Sequence, residues 1–180
     1  MKTIYVVRHG QAEGQEPGAK LTENGVQQAA RLVSFFGGRQ VDCILSSPFK
    51  RAYSTILPLA RQRGIQIQTD ERLAERVLSG GSHPEWREML RRTYDDLDLC
   101  WEGGESGRAA MKRAAAVVEE VLNSHYTSAV LVSHGNLISL LLKLYDDRIG
   151  FAEWERLTNP DVYQLSFRDE LPEIQRIWNP

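Results

Sequence analysis

Short apolar runs that suit β-strands alternate along the chain with amphipathic stretches that suit helices, and this alternation restricts the fold more than any other feature. The predicted strands cover 3–7, 41–45, 65–69, 129–132, 162–167 and 174–178. One predicted helix begins after Thr22, and three others cover 49–63, 106–123 and 136–145. Strands and helices in this order are typical of an α/β fold, a three-layer sandwich in which helices flank a mostly parallel central sheet.

Residues 76–105 interrupt the alternation and predict a small helical cap inserted over the edge of the sheet. Ser82 and Glu85 form a Ser-x-x-Glu pair, which indicates a capping box that opens a helix over 82–94. The predicted buried face of this helix consists of Trp86, Met89 and Leu90. The acidic run at 95–98 is expected to face solvent.

Composition and charge exclude several classes of protein. Lys and Arg number 22 against 24 Asp and Glu, and the resulting net charge of -2 argues against nucleic-acid or membrane partners that depend on bulk charge. No apolar run approaches the length of a membrane span, and the apolar residues before Arg8 are too few for a signal peptide. Two cysteines cannot form a disulfide scaffold. We therefore expect a single cytoplasmic domain over 1–180; no feature indicates its oligomeric state.

Two predicted strands end in the same way, with a histidine followed by a glycine. Arg8-His9-Gly10 follows the first strand, and Ser133-His134-Gly135 follows the strand over 129–132. Ligands of an open α/β sheet bind outside the carboxyl ends of its strands. The sequence therefore predicts that His9 and His134 lie close together at the functional edge of the sheet.

Two further charged residues follow neighbouring strands and belong to the same predicted edge. Arg51 falls in the first turn of the helix over 49–63, near the positive end of the helix dipole. A cation is unfavourable there unless a bound anion compensates it, and both a helix N-terminus and a guanidinium favour phosphate. Glu75 follows the strand over 65–69 and is a candidate proton donor.

Taken together, these residues resemble the motifs of the histidine phosphatase superfamily, also called the phosphoglycerate mutase-like family. Arg8-His9-Gly10 matches the first histidine motif of that family, and Ser133-His134-Gly135 matches the second. Three other segments are similar to its remaining motifs: Leu21-Thr22-Glu23-Asn24-Gly25, Ser47-Pro48-x-x-Arg51-Ala52 and Gly104-Glu105-Ser106. Five motifs in the order of the family make the resemblance specific.

The resemblance implies a phosphomonoesterase that hydrolyses small phosphorylated metabolites without a metal ion or another cofactor. It implies that His9 is the nucleophile, which forms a phosphohistidine, and that Glu75 donates and then accepts the proton. The residues that would bind the phosphoryl oxygens are Arg8, Arg51, His134 and Gln15, the last standing near a position where relatives often have Asn. The implied partner is a small phosphate ester, with no nucleic acid and no membrane.

Three alternatives to the phosphatase stay open at this point. A 2,3-bisphosphoglycerate-dependent phosphoglycerate mutase has the same motifs, but Ala12 stands where many relatives have Ser or Thr, and the segment 11–20 is short. A mutase must also keep water from its phosphohistidine, for which this chain has little lid. A non-catalytic phospholigand-binding relative is expected to have lost one of the catalytic residues. A two-histidine zinc hydrolase lacks the expected His-x-x-x-His or His-x-His spacing.

Overall fold

Six strands lie side by side in one mixed sheet in the computed structural model, which describes residues 1–180. In chain order they are β1 (Lys2–Arg8), β2 (Cys43–Ser46), β3 (Ile67–Thr69), β4 (Ser128–Ser133), β5 (Asp161–Phe167) and β6 (Glu173–Arg176). Their spatial order is β3-β2-β4-β1-β5-β6. The first four strands pair in parallel, whereas β5 pairs antiparallel with both of its neighbours, β1 and β6. The predicted strands and the mostly parallel sheet are confirmed.

Six α-helices and one short 3-10 turn connect these strands. The helices are α1 (Glu23–Phe35), α2 (Lys50–Arg63), α3 (Trp86–Asp95), α4 (Gly107–Asn123), α5 (Gly135–Tyr145) and α6 (Phe151–Glu155), and the turn covers Glu71–Leu73. The hydroxyl of Thr22 caps α1 by accepting a hydrogen bond from the N–H of Gly25, as its sequence position predicts. None of these helices has the length and apolar content that crossing a lipid bilayer requires.

Alternating side chains of the central strands build a core on each face of the sheet. In β1, Ile4 and Val6 belong to a cluster of 21 buried residues that also includes the apolar sides of α4 and α5. Tyr5 and Val7 point to the other face and join a cluster of 14 buried residues with α1 and α2. Every residue of β4 is buried, as expected for a central strand covered on both faces. The predicted three-layer arrangement is therefore present.

The cap helix differs from the prediction, because the capping box at Ser82 is not formed. Helix α3 begins at Trp86, and no side chain caps it. Pro84 disfavours the helical conformation at His83, the residue before it, so the chain makes a turn there instead. The N–H of Trp86 closes this turn on the carbonyl of His83 at 3.1 Å. Trp86 is 48% exposed and Met89 is half-buried, contrary to the prediction, whereas Leu90 is buried as predicted.

The strand register brings three loops together at one edge of the sheet. Arg8 at the end of β1 lies opposite Ser133 at the end of β4, and Ser46 at the end of β2 lies opposite Val132. The residues that directly follow these three strand ends therefore lie close together. This edge carries the candidate site.

Candidate active site

The two predicted histidines face each other at the carboxyl edge of the sheet. The ring centroids of His9 and His134 are 5.0 Å apart, and their planes are inclined by 62°. Both side chains are buried, with exposed fractions of 7% and 1%. Because β1 and β4 end at the same level of the sheet, the two histidines that follow them lie side by side, as the two His-Gly segments predict.

Hydrogen bonds fix the tautomer of His9. Its Nδ1 lies 2.6 Å from the carbonyl oxygen of Gly10, and because a carbonyl can only accept, Nδ1 carries the proton. Nε2 therefore holds the lone pair, and the Nε of Arg51 donates to it at 3.2 Å. The N–H of Gly10 donates to the hydroxyl of Thr55 at 2.9 Å, which fixes the loop. Nε2 is the nitrogen that can attack an electrophile.

Burial keeps both imidazoles neutral. Desolvation, which outweighs the opposing effect of the hydrogen bond to Gly10, together with the positive charges of Arg51 and Arg8 lowers the pKa of His9 to about 3. Desolvation and the neighbouring charged groups lower the pKa of His134 to about 2. A neutral imidazole is the form that acts as a nucleophile, so the surroundings of His9 favour that role.

The lowered pKa of His9 predicts a loss of stability in acid. Between pH 6.5, the ordinary pKa of histidine, and about 3, the unfolded chain binds a proton at His9 that the folded chain does not. The free energy of unfolding should therefore fall as the pH decreases below about 6.5, by roughly 3 kcal/mol from this residue alone at about pH 4.5. Denaturant titrations over this range should give a shallower pH dependence for His9→Asn than for wild type. Equal slopes would contradict the buried neutral state.

Two guanidinium groups lie near the histidines, that of buried Arg51 and that of partly buried Arg8. Arg51 is 1% exposed and donates from Nη1 to the carbonyls of Gln15 and Glu16 at 3.0 Å each. Arg8 donates to the carbonyl of Leu157 at 3.0 Å, and its buried Nε has no partner. Neither guanidinium forms an ion pair.

Burial lowers the pKa of both arginines, and the negative charge of Glu75 offsets only part of that effect. The Nδ1 of His134 is a third polar atom buried at this edge without a partner. Buried polar atoms are paired in most proteins, so an unpaired one calls for an explanation such as a functional role or a bound ligand. Two guanidiniums without an ion pair and an unpaired imidazole nitrogen suit an anion with several oxygens, such as phosphate.

Glu75 lies at the same edge, bound to the N-terminus of α5. Its Oε1 accepts hydrogen bonds from the N–H groups of Arg76 at 2.7 Å and Leu137 at 2.9 Å. Its Oε2 accepts one from the N–H of Asn136 at 3.1 Å. Because α5 begins directly after His134, these bonds place the carboxylate beside the second histidine. A carboxyl group in this position can exchange a proton with a bound ester.

Gln15 reaches this cluster only through its main chain. Its carbonyl accepts the hydrogen bond from Arg51, and its side chain is exposed. A direct contact between that side chain and phosphate stays a prediction.

The structure adds three polar residues to which sequence reasoning gave no role. The hydroxyl of Ser47 lies 2.8 Å from Nε2 of His134, and that of Thr55 joins Gly10 to the carbonyl of Arg51 at 2.7 Å. Asn159 donates from Nδ2 to the carbonyl of His9 at 3.0 Å. Ser47 and Thr55 had a detectable signal, since both lie within four residues of Arg51. Asn159 had none, because it is 150 positions from its partner.

Gly135 has a steric role that its position after His134 suggests. A Cβ atom there would lie 3.1 Å from Cζ of Arg8, closer than most real Cβ contacts. The sequence predicts a close approach of a ligand to the backbone at this glycine. In the structure the group that approaches is the Arg8 guanidinium, which packs against the first residue of α5.

Fold and site together define a class of protein. Paired neutral histidines, two arginines without an ion pair and a carboxylate at the carboxyl edge of an α/β sheet are the parts of an enzyme that transfers a phosphoryl group through histidine. Residues 1–180 contain no group of three or more His, Cys, Asp and Glu side chains arranged to hold a metal ion.

The chain belongs to the histidine phosphatase superfamily (branch 1), whose sequence profile matches residues 4–180. It is 33% identical over 160 residues to "Putative phosphoserine phosphatase 2" of Hydrogenobacter thermophilus, covering 80% of this chain and 78% of that protein. It is 28% identical over 169 residues to a glucosyl-3-phosphoglycerate phosphatase of Mycobacterium tuberculosis, covering 78% and 73%.

The same fold occurs in a solved mycobacterial structure. The complex of mycobacterial glucosyl-3-phosphoglycerate phosphatase with inorganic phosphate superposes with a TM-score of 0.80 at 28% identity, covering 100% of this chain and 98% of that one. The predicted family, fold and phosphatase activity are thereby confirmed, and the comparisons do not favour the mutase alternative.

Proposed function

We propose that this chain hydrolyses small phosphomonoesters in two steps, without a metal ion, through a phosphohistidine on Nε2 of His9. The observation that carries the proposal is the state of His9, whose proton is held on Nδ1 by Gly10 while its lone pair faces Arg51. The guanidiniums of Arg8 and Arg51, neither of which forms an ion pair, supply the site for the phosphoryl group. We further propose that residues 1–180 act as one domain.

The first step transfers the phosphoryl group to the enzyme. Nε2 of His9 attacks phosphorus, the bond from phosphorus to the ester oxygen breaks, and Glu75 gives its proton to that oxygen, so that an alcohol leaves. Arg8, Arg51 and His134 hold the phosphoryl oxygens and balance the charge that spreads over them. The carbonyl of Gly10 stays bonded to Nδ1–H and stabilises the positive charge on the ring.

The second step releases phosphate and restores the enzyme. A water molecule occupies the place of the alcohol and attacks phosphorus, while the Glu75 carboxylate accepts its proton. The bond from phosphorus to Nε2 breaks, and the lone pair returns to His9. Glu75 is then protonated again and His9 neutral, as before the first step.

The relatives suggest where to look for the substrate. Two of them are named for phosphoserine and for glucosyl-3-phosphoglycerate, which are small phosphate esters of hydroxyl compounds. We propose a substrate of this kind, with no nucleic-acid or membrane partner. We propose the cytoplasm of a bacterium as the location, because these relatives are bacterial and both cysteines, Cys43 and Cys100, are free thiols.

A panel of phosphate esters that includes phosphoserine, glucosyl-3-phosphoglycerate and 3-phosphoglycerate tests the proposal, with EDTA present throughout. Wild type should release inorganic phosphate, and His9→Ala should not. Conversion of 3-phosphoglycerate into 2-phosphoglycerate, dependent on the bisphosphate, would instead identify a mutase. Binding of vanadate without any turnover would identify a phospholigand-binding protein.

Replacing Glu75 with Gln should slow phosphoryl transfer from alkyl esters far more than from p-nitrophenyl phosphate. An alkoxide must be protonated as it leaves, whereas p-nitrophenolate leaves without a proton. The burst rate with an alkyl ester should fall about a hundredfold or more, since general acids contribute on that order. The measurement is rapid-quench formation of the phosphoenzyme from both esters. Glu120→Gln, at an exposed surface ion pair, serves as the matched control. Equal losses on both esters would remove Glu75 from the role of proton donor.

A further inference from the structure

Arg76, the residue after Glu75, is a buried cation that the reaction does not use. It is 5% exposed, forms no ion pair, and its Nη2 has no partner. Its Nε donates to the carbonyl of Glu105 at 3.0 Å, and its Nη1 donates to the hydroxyl of Thr93 at 3.1 Å. A buried charge without a counter-ion is strongly destabilising, so its presence calls for a function other than stability.

Asn136 connects this arginine to Glu75 and to the cap helix α3. Its Oδ1 lies 3.4 Å from Nη1 of Arg76, and its backbone N–H donates to Oε2 of Glu75. Its Nδ2 donates to the hydroxyl of Tyr94 at 2.9 Å. That hydroxyl in turn lies 2.5 Å from the hydroxyl of Ser139. A continuous buried network therefore runs from α3 through α5 to the carboxylate.

The hydrogen bonds of Glu75 determine which oxygen can carry its proton. A carboxyl oxygen has two lone pairs. Both lone pairs of Oε1 are occupied, by the N–H groups of Arg76 and Leu137. Oε2 accepts only one hydrogen bond, from Asn136, so one of its lone pairs is free. The transferable proton therefore belongs on Oε2.

We propose that Arg76 and Asn136 are positioning residues that hold Oε2 of Glu75 toward the ester oxygen, and that Tyr94 and Thr93 couple this position to the cap helix. The inference rests on the proposed function, in which Glu75 is the proton donor. Arg76 fixes the backbone whose N–H binds Oε1, and Asn136 fixes the N–H that binds Oε2. The cap that lies over the sheet edge is thereby joined to the proton-donating group.

Substitutions that leave every backbone N–H in place test the network. Arg76→Met should lower the burst rate with the best alkyl ester of the panel about a hundredfold, because misplacing a reacting group by an ångström costs on that order. The burst rate with p-nitrophenyl phosphate should stay within about threefold, since its leaving group needs no proton. Tyr94→Phe should show the same imbalance to a smaller extent, and Arg76→Lys should restore part of the loss.

Arg63→Met is the matched control for Arg76→Met. Arg63 also holds backbone carbonyls, those of Phe36 and Arg39, but it ends α2, the helix that packs on the opposite face of the sheet. Its loss should lower the melting temperature and slow both esters equally or not at all. If Arg76→Met does not fold, Tyr94→Phe allows the same comparison of the two esters, because it removes only a single oxygen atom.

The double variant Glu75→Gln/Arg76→Met separates the inference from the proposed function. If Arg76 acts through Glu75, the double variant should be no slower than Glu75→Gln alone. Additive losses, or equal losses on both esters in Arg76→Met and Tyr94→Phe, would overturn the positioning role while leaving Glu75 as the proton donor. Absence of any ester preference in Glu75→Gln itself would overturn both.

Discussion

Replacing His9 with Ala is expected to lower the rate of phosphate release by at least about 10⁴-fold, because the nucleophile of a covalent mechanism is lost. The arginines and His134 would still bind the ester, so the Michaelis constant should change far less than the turnover number. Steady-state release of inorganic phosphate, with the best ester of the panel, measures both constants.

The matched control for this variant is His125→Ala. His125 is exposed between α4 and β4, where it lies against the ring of Tyr126. It should leave turnover unchanged. Turnover of His9→Ala near the wild-type rate, in a sample with native circular dichroism, would show that another group attacks phosphorus.

The second large effect is expected at Arg51, where replacement by Ala should lower the turnover number at least about a hundredfold. Arg51 is held by the carbonyls of Gln15 and Glu16 and needs no rearrangement to meet the charge that develops on the phosphoryl oxygens. Arg51→Lys should recover little, because an ammonium cannot reproduce the planar fork of a guanidinium.

Thermal melts with and without inorganic phosphate provide an independent measurement of the same site. Phosphate should raise the melting temperature of wild type and of Arg61→Ala, which changes an exposed arginine on the same helix. It should raise that of Arg51→Ala much less. An equal increase in all three proteins would place the anion elsewhere.

The parts of the fold and site that sequence reasoning predicted correctly depend on local patterns. The apolar run of β4 and the run of β-branched and aromatic residues in β1 each predict a strand, and the rule that ligands bind at strand carboxyl ends then places His9 beside His134. The conflict of Arg51 with the helix dipole singles out that residue in the sequence, and its binding of phosphate stays a prediction. In each case the residue type and its immediate neighbours carry the information.

The parts that were missed or wrong depend on contacts between distant segments or on a competing local rule. The Ser82 capping box matches its pattern, but Pro84 prevents the helical conformation that the pattern requires. The role of Asn159 depends on the return of the chain to His9, which no local signal reveals. In the sequence, nothing distinguishes Arg76 from the other charged residues of its segment. Only its buried contacts with Thr93 and Asn136 in the structure do so.

The central claim, a phosphohistidine on Nε2 of His9, is tested most directly by trapping that intermediate. Wild type mixed with a phosphate ester carrying labelled phosphorus, quenched in alkali within one turnover, should retain about one phosphoryl group per chain. Peptide mapping should place that group on His9, with the lability to acid and stability to base of a phosphoramidate. No trapped phosphoryl group during the first turnover, or one bound to Ser47 or another side chain, would contradict the account.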